Sequence, residues 1–190
     1  MTSVRQQNFL LRKEKILAMA ETLLLDNNQD ITLSELATEL DIAKGTIYKH
    51  FKSKNQLYLE LIILNETRLL EISQKHNNDI KTYVSEYMLY NMLNSNRTIL
   101  LHVIEERLTN NERKLKELFE KLYQIREQRI IEIKDMTSDY LKSLDSAMSI
   151  RDYLSYVWTV TYGASLLLNS THYQKSIGSR ERLIKLYVNQ

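Results

Sequence analysis

Between Thr32 and Asn55 the apolar positions fall into two short helical lines separated by a polar turn. Leu33, Leu36, Ala37 and Leu40 recur at i, i+3, i+4 and i+7, which places them on one face of a helix. Thr32 followed by Glu35 is a capping-box pair and marks where that helix starts. Asp41 stands where the chain must turn, and Asp tolerates the left-handed conformation better than most residues. A second helix begins near Ala43, with Ile47 and Phe51 one turn apart on its buried line. Lys44, Thr46, Tyr48, Lys49 and His50 are then left to point outward, and Gly45 leaves room for close approach.

The same periodicity continues on both sides. Residues 1–8 show no pattern and read as a loose arm. A helix follows from about Phe9 to Asp26, burying Ile16, Ala20, Leu23 and Leu24, and it ends in the polar run 26–30. Ser53 with Gln56 opens a long helix carrying Leu57, Leu61 and Leu64, continuing to about Gln74. Helices are expected from Ile80 to Asn94 and from Thr98 to Leu108, with 94–96 as the break. Thr109 and Glu112 would cap another, whose seam is Leu115, Leu118, Leu122 and Ile125 and which reaches about Asp135. Residues 137–148 read equally as helix end or loop. Ser149 with Asp152 opens a helix to about Asn169, and a last one spans about Ser179 to Val188. The reading is all-α, with about nine helices. A three-helix helix-turn-helix unit (1–53) precedes a helical bundle (54–190).

Composition strengthens this picture. Proline is absent and glycine occurs three times, so few positions break a helix. The chain has no cysteine, which removes disulfides and thiolate chemistry and suits a reducing compartment. No apolar run approaches the roughly 18 residues that a membrane span needs, and the N-terminus carries no secretory pattern. A cytoplasmic protein is expected. The formal net charge is only +2, and residues 1–60 hold equal numbers of basic and acidic side chains. The case for a nucleic-acid partner therefore rests on placement. From Ala43 to Lys54 the charged side chains are Lys44, Lys49, Lys52 and Lys54, with no acid among them. Cations, a phenol and small residues on one exposed helix suit a major groove flanked by phosphates.

The run Lys44-Gly45-Thr46-Ile47-Tyr48-Lys49-His50-Phe51-Lys52-Ser53-Lys54 resembles the recognition helix of TetR-family transcriptional regulators. That family's hallmark is K-G-T-hydrophobic-Y-x-H-F followed by K-x-K. The resemblance implies that Lys44 and Thr46 lie near base edges or phosphates. It also implies that Tyr48, His50 and Lys54 hold the DNA backbone. With Gly45, Lys49 and Thr32 these make the candidate DNA-binding set. Two positions depart from the family: Asp41 stands where glycine is common, and Ala43 where Ser or Thr would cap the helix. The resemblance further implies a homodimer on a palindromic double-stranded operator, and a small-molecule effector bound inside the second part.

Beyond position 65 the resemblance is architectural and has no motif. Tyr87, Met88, His102, Tyr123, Trp158 and Tyr162 are candidates to line a pocket, with ordinary core as the alternative. With little charge on these faces, the expected effector is apolar or aromatic. The helix from Ser149 is apolar on two sides, so its second side needs another helix, from this chain or from a second copy. Tyr156, Val160, Gly163 and Leu167, with Leu183 and Leu186 on the last helix, are the candidate dimer interface. No glycine-rich phosphate loop and no pair of histidines at metal spacing occurs, so no cofactor, metal or catalytic residue is assigned. The rival readings are a helical protein-binding adaptor and, behind it, a helical-bundle enzyme.

Overall fold

The computed structural model describes residues 3–27, 30–109 and 113–188. Among these are ten α-helices and one 3-10 turn, and no strand. They are α1 (Val4–Asn27), α2 (Leu33–Glu39), α3 (Lys44–His50), α4 (Lys54–Lys75), α5 (Ile80–Leu93), α6 (Ser95–Thr109), α7 (Lys116–Ser143), α8 (Ile150–Leu168), α9 (Thr171–Ser176) and α10 (Arg180–Val188). The 3-10 turn, Arg113–Leu115, leads into α7. The extra helix relative to the sequence reading is α9, which is too short to show a period.

Most helix starts are set by the capping residues. Thr32 Oγ1 accepts from the Glu35 N–H at 3.1 Å, while Glu35 Oε2 accepts from the Thr32 N–H at 2.7 Å. This reciprocal box satisfies two of the N–H groups that a helix start exposes. Ser53 caps α4 by accepting from Gln56 N–H, but the Gln56 side chain accepts from Lys52 N–H, one residue before the cap. Asp79 caps α5 through Lys81 and Thr82, and Ser149 caps α8 through Asp152. The expected Thr109–Glu112 cap lies on residue 112, outside the described residues. Asp41 adopts φ 49°, the left-handed turn expected between α2 and α3. Ala43, at the start of α3, makes no side-chain cap.

Three expectations are corrected. The N-terminal arm is helical, since α1 begins at Val4. The break between α5 and α6 is Asn94 alone. The ambiguous stretch after Asp135 continues as helix to Ser143, because Thr137 and Leu141 are buried.

Two apolar clusters hold the helices together. The first joins Ile16, Leu24, Leu36, Ile47 and Phe51 of the N-terminal helices to Leu57 and Leu61 of α4. It also takes in Leu101, Ile104 and Leu108 of α6, and Leu122 of α7. This core therefore crosses the expected boundary at 53/54. Each such side chain contributes about 1.5–3 kcal/mol by leaving water. The second cluster packs Leu69, Tyr83, Tyr87 and Met92 against Ile133, Val157, Leu168 and Leu183. Buried Thr and Ser hydroxyls beside it are satisfied locally: Thr137 donates to Ile133 O, Thr161 to Val157 O and Ser165 to Thr161 O, at 2.7, 2.7 and 2.9 Å.

Ion pairs connect the N-terminal helices to the bundle. Glu21 of α1 takes a bidentate pair from Arg68 of α4 at 2.7 and 3.0 Å, and Arg97 of α6 at 2.8 Å. Burial pushes the Glu21 carboxyl up, but the two guanidinium groups prevail and hold it below the usual carboxylate value. Among the described residues no helix is long and apolar enough to cross a membrane.

Candidate nucleic-acid interface and interior cavity

The short α3 sits on the N-terminal core by Ile47, which is fully buried, with Phe51 fully buried just after it. Lys44, Gly45 and Lys49 are exposed, Thr46 is half-buried, and the Tyr48 ring is exposed. These five candidates share the outward side of α3. Thr32 is exposed at the start of α2, with its hydroxyl engaged as the cap.

His50 does not point outward. Only 9% of it is exposed, and its ring stacks on Phe9 of α1 at 4.1 Å. Ile47, His50 and Phe51 lie at i, i+3 and i+4, so the spacing already placed it on the buried face. Its Nδ1 has no hydrogen-bond partner. Burial, and then the charges of Arg12, Lys13 and Lys49, hold its pKa below the usual histidine value.

Lys54 is also constrained. Its Nζ lies 3.1 Å from Asp30 Oδ2 and 5.7 Å from the centre of the Tyr58 ring. Asp30 receives Arg107 of α6 at 3.3 Å as well, and a hydrogen bond from the Tyr58 hydroxyl at 3.2 Å. That hydroxyl in turn accepts the Ile31 N–H at 3.0 Å. Partial burial raises the Asp30 carboxyl, but Lys54 and Arg107 outweigh it and the net shift is downward. Burial pushes the Tyr58 phenol up to about 12, so it is a neutral donor at ordinary pH.

The early start of α1 adds Arg5 and Asn8, which the sequence reading left in an arm, to a helix already expected to hold Phe9 and Arg12. Arg5, Asn8, Phe9 and Arg12 line a cleft of about 470 Å³ together with Thr46, Lys49 and His50.

The bundle encloses a cavity of about 840 Å³, open to one side. Ile62, Glu66 and Leu69 of α4 contribute to its wall, with Tyr87 of α5 and His102 and Glu105 of α6. Trp158 and Tyr162 of α8 stack at 5.3 Å with planes 14° apart, and the edge of His102 meets Tyr162 at 4.8 Å. Four of the six pocket candidates, Tyr87, His102, Trp158 and Tyr162, therefore line one space. Met88 does not, being buried in the second cluster. Tyr123 does not either: half-exposed on α7, it tilts against Phe119.

The cavity is also more charged than expected. Arg126 of α7 bridges Glu66 at 3.0 Å and Glu105 at 2.6 Å, and Arg129 lies 3.2 Å from Glu66. Two carboxylates and two guanidinium groups from three helices thus neutralise one another. Burial opposes the charge on Arg126, yet its two acidic partners raise its pKa above the usual value. Pairing on this scale keeps buried charges tolerable. Among the described residues no three His, Cys, Asp or Glu side chains converge as a metal site would require.

On the opposite side of α8, Tyr156 and Leu167 are exposed and Val160 and Gly163 half-buried. A Cβ placed on Gly163 would meet no atom within 4 Å. Leu186 of α10 is exposed, but Leu183 is only 2% exposed and packs in its own chain's second cluster, so it is removed from the candidate interface.

Comparison with known proteins adds the following. Residues 16–61 match the family described as bacterial regulatory proteins, tetR family. The chain is similar to the HTH-type transcriptional regulator QacR of Staphylococcus aureus, 34% identical over 82 residues, which is 43% of this chain and 44% of that one. The match therefore spans less than half of that relative's length. Two solved structures share the fold over nearly the whole chain. One is the transcriptional regulator FadR from Bacillus subtilis in complex with stearoyl-CoA, at TM-score 0.61 and 16% identity, covering 92% of this chain and 97% of the other. The other is a putative TetR-family regulator from Mesorhizobium loti, at TM-score 0.58 and 14% identity, covering 95% and 93%.

Proposed function

We propose that the chain is a TetR-family protein, matched to that family over residues 16–61, and that it is a ligand-responsive, DNA-binding transcriptional repressor acting as a homodimer in the cytoplasm. Residues 1–53 read a palindromic operator, and residues 54–190 bind the effector and form the dimer. The observation that carries this reading is the outward side of α3, where Lys44, Gly45, Thr46, Tyr48 and Lys49 stand clear of the core. A recognition helix presents short polar and cationic side chains to the major groove in this way. One such helix touches few base pairs, so a two-fold pair is needed to specify a site. The exposed face of α8, open at Gly163, supports that pairing.

The cavity supports an effector with an apolar or aromatic body laid against Trp158 and Tyr162. The FadR neighbour holds stearoyl-CoA, an example of a ligand carried by this fold. Two helices join cavity to reading head. The first is α4, with Glu66 in the cavity wall and Lys54 and Tyr58 at the head; the second is α6, with Glu105 in the wall and Arg107 on Asp30. At about 1.5 Å per residue, α4 is a rod of roughly 33 Å. An effector that prefers one arrangement of these rods shifts operator affinity by its differential affinity and no more.

The test is a titration of the protein against the DNA upstream of its own coding sequence at several salt concentrations. A saturable, sequence-dependent complex with a steep salt slope is expected. Equal affinity for that DNA and for a random duplex defeats the reading. The adaptor and enzyme alternatives are favoured by no observation.

A further inference from the structure

We propose that the cleft between the first turns of α1 and the recognition helix is a second DNA contact, in which Arg5, Arg12 and Lys49 grip one backbone phosphate of the bound duplex. The inference rests on the DNA-binding reading and extends the footprint onto a helix segment outside the matched motif. Residues 3–12 are all exposed, and the buried residues of α1 begin only at Ile16. About three turns of helix therefore bury none of their own residues, and meet the core mainly through Phe9 stacked on His50. Arg5, Asn8, Phe9 and Arg12 nevertheless fall at i, i+3, i+4 and i+7, a single stripe, and that stripe faces Thr46, Lys49 and His50 across the cleft.

Apart from Phe9, which stacks on His50, the stripe is polar and cationic where a packing stripe would be apolar. Among the described residues no carboxylate pairs with Arg5, Arg12 or Lys49. Two arginines thus confront a lysine with no anion between them. Their field is also felt within the fold, because Arg12 and Lys49 add to burial in disfavouring protonation of His50, whose Nδ1 is nine-tenths buried with the ring and unpartnered. An anion in the cleft relieves that repulsion. Arginine forks and a lysine ammonium are the usual ligands of phosphate. A duplex seated on Thr46 and Lys49 brings a strand to this position, and Phe9 stacked on His50 fixes the angle at which α1 meets it.

Wild type and the R5Q/R12Q double variant are titrated with the upstream duplex across a salt series. One phosphate contact is worth a log–log slope of about 0.9. The variant is expected to bind on the order of tenfold more weakly at 0.1 M salt, with a slope flatter by about that amount. R5K/R12K should recover most of the slope, and the preferred sequence should not change. A methylphosphonate linkage walked along the duplex should weaken wild type at one position per half-site and weaken R5Q/R12Q, which keeps Lys49, distinctly less there. An R5Q/R12Q slope equal to wild type, in a protein that still binds its operator, overturns this contact alone. Failure of wild type to bind the duplex overturns the DNA reading and this contact together.

Discussion

Arg107 of α6 reaches Asp30, ahead of α2, with guanidinium nitrogens 3.3 Å from the carboxylate. The preceding residues of the same helix, Glu105 and Glu106, line the interior cavity. Asp30 also holds Lys54, so one carboxylate joins the cavity helix to the first turn of α4. The pair is too exposed to stabilise the fold by much. Its value is positional, because it ties α6 to the segment ahead of α2.

Tyr58 is the buried anchor of that junction. Tyr58→Phe should strand the Ile31 N–H and remove a donor from Asp30, lowering stability by about 1–3 kcal/mol. Urea unfolding measures this, and an unchanged midpoint removes the junction from the account.

Lys54 shares its charge with Asp30, whereas Lys49 meets no carboxylate among the described residues. Lys49→Ala is therefore expected to weaken operator binding more than Lys54→Ala does. Thr46→Ala should alter the preferred sequence, while Tyr48→Ala should weaken all sequences alike. Competition binding over a panel of operator variants separates these outcomes.

His50 should make stability depend on pH. Burial first, then Arg12, Lys13 and Lys49, set its folded pKa below that of the unfolded chain. The unfolded state therefore binds the proton first. The contribution is complete above about pH 6.5 and is lost as pH falls through the folded pKa. His50→Phe should keep the stack on Phe9 and flatten the dependence in that window, as measured by denaturant midpoints from about pH 7.5 to about pH 5.

Trp158 is the chain's single tryptophan and is 47% exposed in the cavity wall. An aromatic probe such as anilinonaphthalene sulfonate should quench its emission on binding. Trp158→Ala should weaken the probe's affinity on the order of tenfold, the loss of one stacking partner. Tyr123→Ala, outside the cavity, should leave it unchanged.

A Cβ at Gly163 meets nothing within 4 Å in its own chain, so Gly163→Leu is expected to fold, and replacing a mid-helix glycine adds roughly 1 kcal/mol of helix propensity. At the proposed interface the same side chain obstructs the second copy. Sedimentation should show a folded monomer with weakened operator binding. A dimer of wild-type affinity places the interface elsewhere.

What was legible in the sequence was local. Thr32 with Glu35, Ser53 with Gln56 and Ser149 with Asp152 marked helix starts because capping is decided within three residues. Asp41 marked the left-handed turn because few other residues adopt it readily. The recognition segment was legible as a motif, but two of its members have other occupations. Lys54 meets an acid 24 positions away, and no local pattern discloses that. His50 was misread although its spacing from Ile47 was in plain view, because its polarity was weighed above its position. The charged cavity was hidden for a related reason. Glu66, Glu105, Arg126 and Arg129 each look like surface residues on their own helices, and only the packing of three helices brings them together. The start of α1 was missed because its first turns bury no apolar stripe.

Three buried aliphatic hydroxyls beside the second cluster, on Thr137, Thr161 and Ser165, donate to carbonyls of their own helices. None of those hydrogens is committed to a neighbouring segment. An axial slip of α8 past α5 and α6 by a fraction of an ångström therefore breaks none of these three bonds, while van der Waals contacts and the bond from Ser95 Oγ of α6 to Asn169 Oδ1 at the end of α8, 3.3 Å, readjust. The wall behind Trp158 works as a plain bearing, able to creep under a bulkier guest while each hydroxyl travels with its own acceptor.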